Sequence, residues 1–212
     1  MKKIYWDLET EGLPLADLER VMPEFDAPRN IKDPVKIKDA ILEKKLEWID
    51  KAALKAITGK IVAFTYAVDN EEPQMVTGGE AGLIEHAHHV LQEVTASRAY
   101  AYAWNGHGFD LPFLCQRAAV HGKPLFGTLC NKVRGRYYWD EGFIDPKAVW
   151  SSYSQDHTGS SLAVVARVLG VGEKTGSGKD FAGLLRTNPE EARKYANADI
   201  TLLRGVSNRM GL

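Results

Sequence analysis

Short runs of β-branched and aromatic residues alternate along this chain with segments of helical period, and that alternation restricts the possible folds more than any other feature. Ile4 to Leu8, Ile61 to Val68, Gln74 to Thr77 and Ala99 to Trp104 read as strands, because such side chains fit a pleated, half-buried surface. Ile37, Ile41, Leu42, Leu46, Ile49, Ala53 and Leu54 instead recur at helical spacing, which predicts a helix from Val35 to Ile57 ended by Gly59. Further helices are expected over Glu80 to Val94, Phe109 to His121, Ser160 to Leu169, and Pro189 to about Arg209, the last with a proline suited to a first helical turn. Strands early, then strands alternating with helices, predict an α/β sheet with helices on its faces, although the strand order is not readable.

The chain has 212 residues, enough for one core with a sizeable insertion and short for two domains. The expectation is therefore one domain over 1–212 with a helical insertion at about 26–59. Because its period is amphipathic and it separates the first two strands, the insertion should lie outside the sheet, as a flap over a substrate or a partner surface.

A composition of 44% hydrophobic and 26% charged residues is that of a globular protein. The net charge of -1 provides no global cationic field, so contact with a polyanion would rest on a local patch and on metals. Cys115 and Cys130 fit no metal spacing and favour a reducing setting. The sequence after Met1 runs into acidic residues without an apolar signal core, and no long apolar run follows. A cytoplasmic protein that spans no membrane is expected.

Asp7 and Glu9 stand two apart on a strand, so both carboxylates face the same way and can converge on one ion. An oxygen-only ligand set suits magnesium or manganese; zinc would call for thiolates or imidazoles. Tyr195 and Asp199 stand four apart on a helix and likewise share a face, so a phenol and a metal-binding carboxylate can address one water.

Together with WNGHGFDLPFL at 104 to 114 and YANADITLL at 195 to 203, the Asp-x-Glu pair resembles the three motifs of the DEDD 3′-to-5′ exonucleases. Asp7 and Glu9 match the first motif, Asn105, Phe109 and Asp110 the second, and Tyr195 and Asp199 the third. A tyrosine four residues before the last aspartate, with Lys194 where the other branch has histidine, is similar to the Tyr-containing branch. NIKDPVKIKDAILEKKLEWIDKAALKAITGKIVAF and GKDFAGLL extend the likeness to stand-alone relatives of the proofreading domain of family-B DNA polymerases.

That resemblance implies a ribonuclease H-like mixed sheet flanked by helices, with a helical insertion after the first strand. It implies two divalent cations, Mg2+ or Mn2+, with Asp7 bridging both, Glu9 and Asp199 on one and Asp110 on the other, and with Tyr195 orienting the attacking water. Two such ions roughly 3.5–4 Å apart can generate hydroxide near neutral pH and stabilise a leaving 3′ oxygen. The implied reaction removes nucleotides one at a time from a 3′ end, with single-stranded or frayed DNA favoured and a replication or repair partner in trans. A ribonuclease D-like exoribonuclease carries the same acids and tyrosine, and an inactive nucleic-acid-binding module of the same fold is the alternative of another class.

Leu8 and Thr10 are candidates for cradling the terminal nucleotide, since the family uses this segment for it, or else for ordinary strand packing. Asn105 could contact the nucleotide or tie down its own turn, and Phe109 could abut a base or fill core. Asp145 reads as an acid near the site or as a helix cap before Pro146, and His107 as a loop histidine. Lys132, Arg134 and Arg136 before Tyr137, Tyr138 and Trp139 could track a single strand or form an aromatic core strand. GSGKD at 176 to 180 lacks the spacing of a nucleoside-triphosphate loop. His86, His88 and His89 read as surface residues.

Overall fold

The first strand alternates as its sequence requires: Ile4, Trp6 and Leu8 point to one side of the sheet, and Tyr5, Asp7 and Glu9 to the other. A computed structural model of the chain describes residues 1–96, 98–123, 142–152, 160–174 and 181–212. In it the chain divides into two compact units, one of Met1–Glu9 with Ile61–Leu212 and one of Thr10–Lys60.

The larger unit is built on strands β1 (Lys2–Gly12), β2 (Gly59–Val68), β3 (Gln74–Thr77), β4 (Ala99–Tyr102) and β5 (Phe143–Ile144), in the sheet order β3-β2-β1-β4-β5. β4 runs parallel to both β1 and β5, while β3 is antiparallel to β2, so the sheet is mixed. On the face of Ile4, Trp6 and Leu8 lies α3 (Glu80–Thr95), with Trp6 and His86 both against Phe64, at centroid distances of 6.2 and 6.1 Å. α3 packs against α4 (Asp110–Val120), and the Glu80 carboxylate ties the two together, accepting from Arg117 Nη2 at 2.6 Å and from the Ile61 backbone N–H at 2.8 Å. These buried partners more than offset the cost of burying Glu80, whose pKa falls below the usual carboxylate range.

The opposite face is covered from the C-terminal end of the chain. Two short helices, α5 (Pro146–Ser152) and α6 (Leu162–Val168), precede α7 (Phe181–Thr187) and the long α8 (Pro189–Arg209). α8 begins where the Asn188 side chain accepts from Glu191 N at 3.2 Å, with Pro189 in its first turn, as the sequence predicts. Its buried positions Ala192, Tyr195, Ala196, Asp199, Ile200, Leu203 and Val206 recur every three or four residues. Ile200 and Leu203 join Tyr5, Ala67 and Tyr102 in one apolar cluster, in which Tyr5 and Tyr102 stack at 5.1 Å. At about 1.5–3 kcal/mol for each large side chain so buried, this cluster alone gives α8 a fixed seat.

The smaller unit holds α1 (Leu15–Glu19), α2 (Pro34–Asp50) and a 3-10 turn over Ala52–Leu54. The single helix expected over Val35 to Ile57 is thus shorter. Thr58 Oγ1 donates to Ala52 O at 2.8 Å and Gly59 N to Lys55 O at 2.7 Å, which turns the chain back before a further helical turn can form. A Cβ at position 59 would lie 3.0–3.1 Å from three carbonyl oxygens, so glycine is required there. α2 has no buried residue, and Leu42 and Leu46 are more than half exposed.

β1 differs from expectation as well. Its sequence suggests that the strand stops near Leu8, yet it continues to Gly12, so Asp7 and Glu9 lie within the strand. The polar tail hides the extension, and the Glu11 charge is balanced by Lys60 at 2.9 Å. The basic and aromatic stretch from Lys132 to Trp139, Cys130 and GSGKD lie outside the described residues. Among the described residues no helix is long and apolar enough to cross a membrane.

Candidate active site

β4 pairs with β1 only as far as Tyr5 opposite Tyr102, and the chain then leaves the sheet through the turn 103–109. Past that point β1 presents Asp7 and Glu9 on the same face as Tyr5, the face covered by α8. Ligands of α/β sheets gather beyond the carboxyl ends of strands for the same topological reason. From α8, Asp199 completes a group in which one carboxylate oxygen each of Asp7, Glu9 and Asp199 lies within 4.8 Å of the others. Residues 7, 9 and 199 are thus brought together by a strand of period two and a helix of period 3.6.

Asp110, at the start of α4, is 2% exposed, and its Oδ1 accepts from the backbone N–H of Leu8 at 3.1 Å. It feels the charge of Asp7, which with burial pushes its pKa well above the carboxylate range. Burial and the neighbouring Asp199 push Asp7 up to about 7. Burial, then Asp7 and Asp199, push Glu9 up to about 9, and burial also raises Asp199. Like charges crowded in a dry site cannot all ionise without a cation.

One cation is built in. Lys174, in the segment between α6 and α7, donates from Nζ to Asp199 Oδ2 at 2.6 Å and lies 4.8 Å from the centroid of the Tyr195 ring. Burial works against its charge, but the Asp199 carboxylate outweighs that and holds the Lys174 pKa above its ordinary value. Asp199 Oδ1 is buried and has no hydrogen-bond partner among the described residues. An orphaned carboxylate oxygen beside two further carboxylates is a donor set that fits a hard divalent cation. The acidic group can therefore bind a metal.

Tyr195 lies one turn before Asp199 with its ring against Phe181 at 5.9 Å. Burial above all raises its hydroxyl to about 12, so it keeps its proton near neutral pH.

Asp7, Glu9, Asn105, Tyr195 and Asp199 line one cleft of about 670 Å³. Sequence reasoning did not single out Trp104, Lys147 or Lys174, which line it too. Trp104 opens the WNGHGFDLPFL segment without holding one of its motif positions, and no motif flags the two lysines, for which the one available signal was physical, that four acids in one site call for cationic neighbours. The other candidates stand elsewhere. Leu8 is buried on the opposite face of β1, and Phe109 packs on Phe113 at 5.4 Å. Thr10 donates its hydroxyl to Ala53 O at 2.8 Å within the smaller unit.

Asn105 has φ +63°, a left-handed conformation that asparagine tolerates better than most residues. Gly106 must be glycine, because a Cβ there would lie 2.5 Å from the Ala103 Cβ. Asp145 serves as both of its sequence readings suggest: its Oδ1 accepts from Lys147 N and Ala148 N at 3.0 and 3.3 Å, capping α5, and also from Asn105 N at 3.0 Å. His107 is a turn residue, donating from Nε2 to Phe143 O at 3.1 Å.

No protein-family model matches this chain, and no curated protein matches it. Among solved structures it is similar to the family B DNA polymerase from the hyperthermophilic archaeon Pyrobaculum calidifontis, at 14% identity and a TM-score of 0.60, over 99% of this chain and 24% of that one. The chain thus spans about a quarter of the polymerase's length. At this identity the likeness concerns the fold, and the mixed five-stranded sheet flanked by helices is ribonuclease H-like.

Proposed function

We propose that the chain is a metal-dependent 3′-to-5′ exonuclease that hydrolyses the terminal phosphodiester of single-stranded or frayed DNA and releases 5′-mononucleotides. One observation carries the reading: three motifs far apart in sequence supply Asp7, Glu9, Asn105, Tyr195 and Asp199 to a single cleft, with three of the carboxylates within reach of one ion. Asp7, Glu9, Asp110 and Asp199 would hold two Mg2+ or Mn2+ ions, which when bound supply the Lewis acidity needed to form hydroxide near neutral pH and to stabilise the departing oxygen.

The protein groups perform the rest. Tyr195, protonated at neutral pH, donates a hydrogen bond and so orients water; it is too weak an acid to act as a base there. Asp110, fixed by Leu8 N, would serve the second of the two ions. Asn105 is proposed to hold the terminal nucleotide by its side chain and the Leu8 and Thr10 segment by its backbone, while Phe109, packed on Phe113, takes the other of its readings and fills core. The smaller unit is proposed as a flap over the substrate or a partner surface, supported by the exposed Leu42 and Leu46. A replication or repair partner would act in trans.

The test uses 5′-labelled oligonucleotides of matched sequence, as single-stranded DNA, duplex DNA and RNA, with Mg2+ or Mn2+. The expected result is a ladder shortening from the 3′ end of DNA, blocked by a 3′ phosphate and indifferent to a 5′ block. Cleavage of closed circular DNA would reassign the activity, faster loss of RNA would make the substrate RNA, and no degradation at all would leave a binding module.

A further inference from the structure

The acid cluster needs cations to approach a polynucleotide, and of the two lysines in the cleft Lys174 is already committed to Asp199. Lys147 differs. Its Nζ donates to Asn105 Oδ1 at 3.0 Å, a neutral acceptor, and no carboxylate lies within ion-pair distance of it among the described residues. Asp145 is not its counter-ion, because that carboxylate is taken up by backbone N–H groups: Asn105, Lys147 and Ala148 on Oδ1, and His107 on Oδ2 at 3.3 Å. Among the described residues Lys147 therefore keeps N–H donors to spare at the wall of a cleft whose floor is acidic.

The pair is also built to stay in place. Asp145 Oδ1 holds the backbone N–H of both Asn105 and Lys147, so one buried carboxylate sets the two ends of the contact. Asn105 O accepts from Gly108 N and Phe109 N at 3.0 and 2.8 Å, closing the turn. A Cβ at position 108 would lie 2.8 Å from Asn105 Oδ1, so glycine there leaves the amide oxygen room to face Lys147. A lysine held against a neutral amide by such a frame is a preorganised point charge for a phosphate.

We infer that Lys147, presented by Asn105, contacts a backbone phosphate of the nucleic-acid strand beside the acid cluster, other than the phosphate the acids address. The inference rests on the nuclease reading for where the scissile phosphate lies. It makes the substrate a chain with a second phosphate, so that a single nucleotide engages the cleft only in part.

The experiment measures binding of a 5′-fluorescein decathymidylate by the full chain in Ca2+ over a series of KCl concentrations, and then hydrolysis of the same oligomer in Mg2+. Lys147→Gln should weaken binding roughly tenfold, in the range lost with a charged hydrogen bond. Its plot of log affinity against log salt should flatten by about 0.7, the loss of one phosphate contact on a single strand. Lys147→Arg, which keeps the charge, should restore the slope, and in hydrolysis Lys147→Gln should raise KM by more than it lowers kcat. A Lys147→Gln protein with unaltered affinity and slope overturns the assignment. So does an arginine variant as impaired as glutamine, which would mark a structural role, or a failure of the unaltered protein to bind the oligomer. Salt-dependent binding lost in Lys147→Gln, without hydrolysis by any variant, would sustain the phosphate contact and refute the nuclease reading.

Discussion

Lys174 Nζ sits 2.6 Å from Asp199 Oδ2 and 4.8 Å from the centroid of the Tyr195 ring, so one ammonium group touches both polar residues that α8 brings to the cleft. Asp7 and Glu9 feel the same charge, and it lowers the cost of ionising each of them. Its removal should expose how much of the site's order depends on it.

Lys174→Met should lower the stability of the EDTA-treated protein at pH 8 by roughly 1–3 kcal/mol, the cost of leaving a buried polar partner unmet. At pH 5 the loss should be smaller, because burial raises the Asp199 pKa and protonation there replaces the lost cation. Urea unfolding at the two pH values decides it, and an equal loss at both would mean that Lys174 contributes packing alone.

The raised carboxylates also set a pH dependence with a definite sign. Asp7 moves from 3.8 to about 7 and Glu9 from 4.5 to about 9, so folding opposes their ionisation. Their contribution is most favourable below the unfolded values and is lost as pH climbs through 7 and 9. The metal-free melting temperature should accordingly fall between pH 5 and 9. Cations compete with the same protons, so the melting increment given by Mn2+ should grow over that range, with proton release visible by calorimetry in buffers of different ionisation enthalpy. A pH-independent increment would place the bound ion elsewhere.

Asp7→Asn removes one of the crowded charges at nearly constant volume. The metal-free protein should become more stable at pH 8, while on the proposed function, in which Asp7 is a ligand shared by both ions, hydrolysis in Mg2+ should drop by about 10³-fold or more. Melting curves and single-turnover rates on the same samples test both halves. A variant that is stabilised yet fully active would show that Asp7 is dispensable to the chemistry.

For Tyr195 the expected loss is intermediate. Tyr195→Phe keeps the ring against Phe181 and removes the hydroxyl, so single-turnover hydrolysis should slow on the order of 10²- to 10⁴-fold with substrate affinity retained. Asp199→Ala should be slower still. A phenylalanine variant at the unaltered rate would make the tyrosine a packing residue.

Elements with strong local signals were legible in the sequence. Pro189 announced the start of α8 and the spacing of four placed Tyr195 with Asp199, as the period of two placed Asp7 with Glu9. What escaped depended on contacts distant in sequence. β1 runs past its apolar run because Lys60 answers Glu11, and α2 stops early because Thr58 and Gly59 claim the carbonyls of the next turn. Lys174 and Lys147 sit in segments without a distinctive pattern, and only the folded chain brings them to Asp199 and Asn105. Asp145 admitted two readings because one carboxylate does both jobs, which no local pattern expresses.

A cluster of acids that required its ions in order to fold would tie the protein's synthesis to metal supply, as in small zinc domains that are unfolded without metal. The Lys174 ammonium breaks that tie by acting as a resident counter-ion for Asp199. On the proposed function the chain would fold first and be loaded later, and divalent cations would act on a finished protein as a switch of charge state, with their binding energy left to govern when the cleft accepts a polyanion.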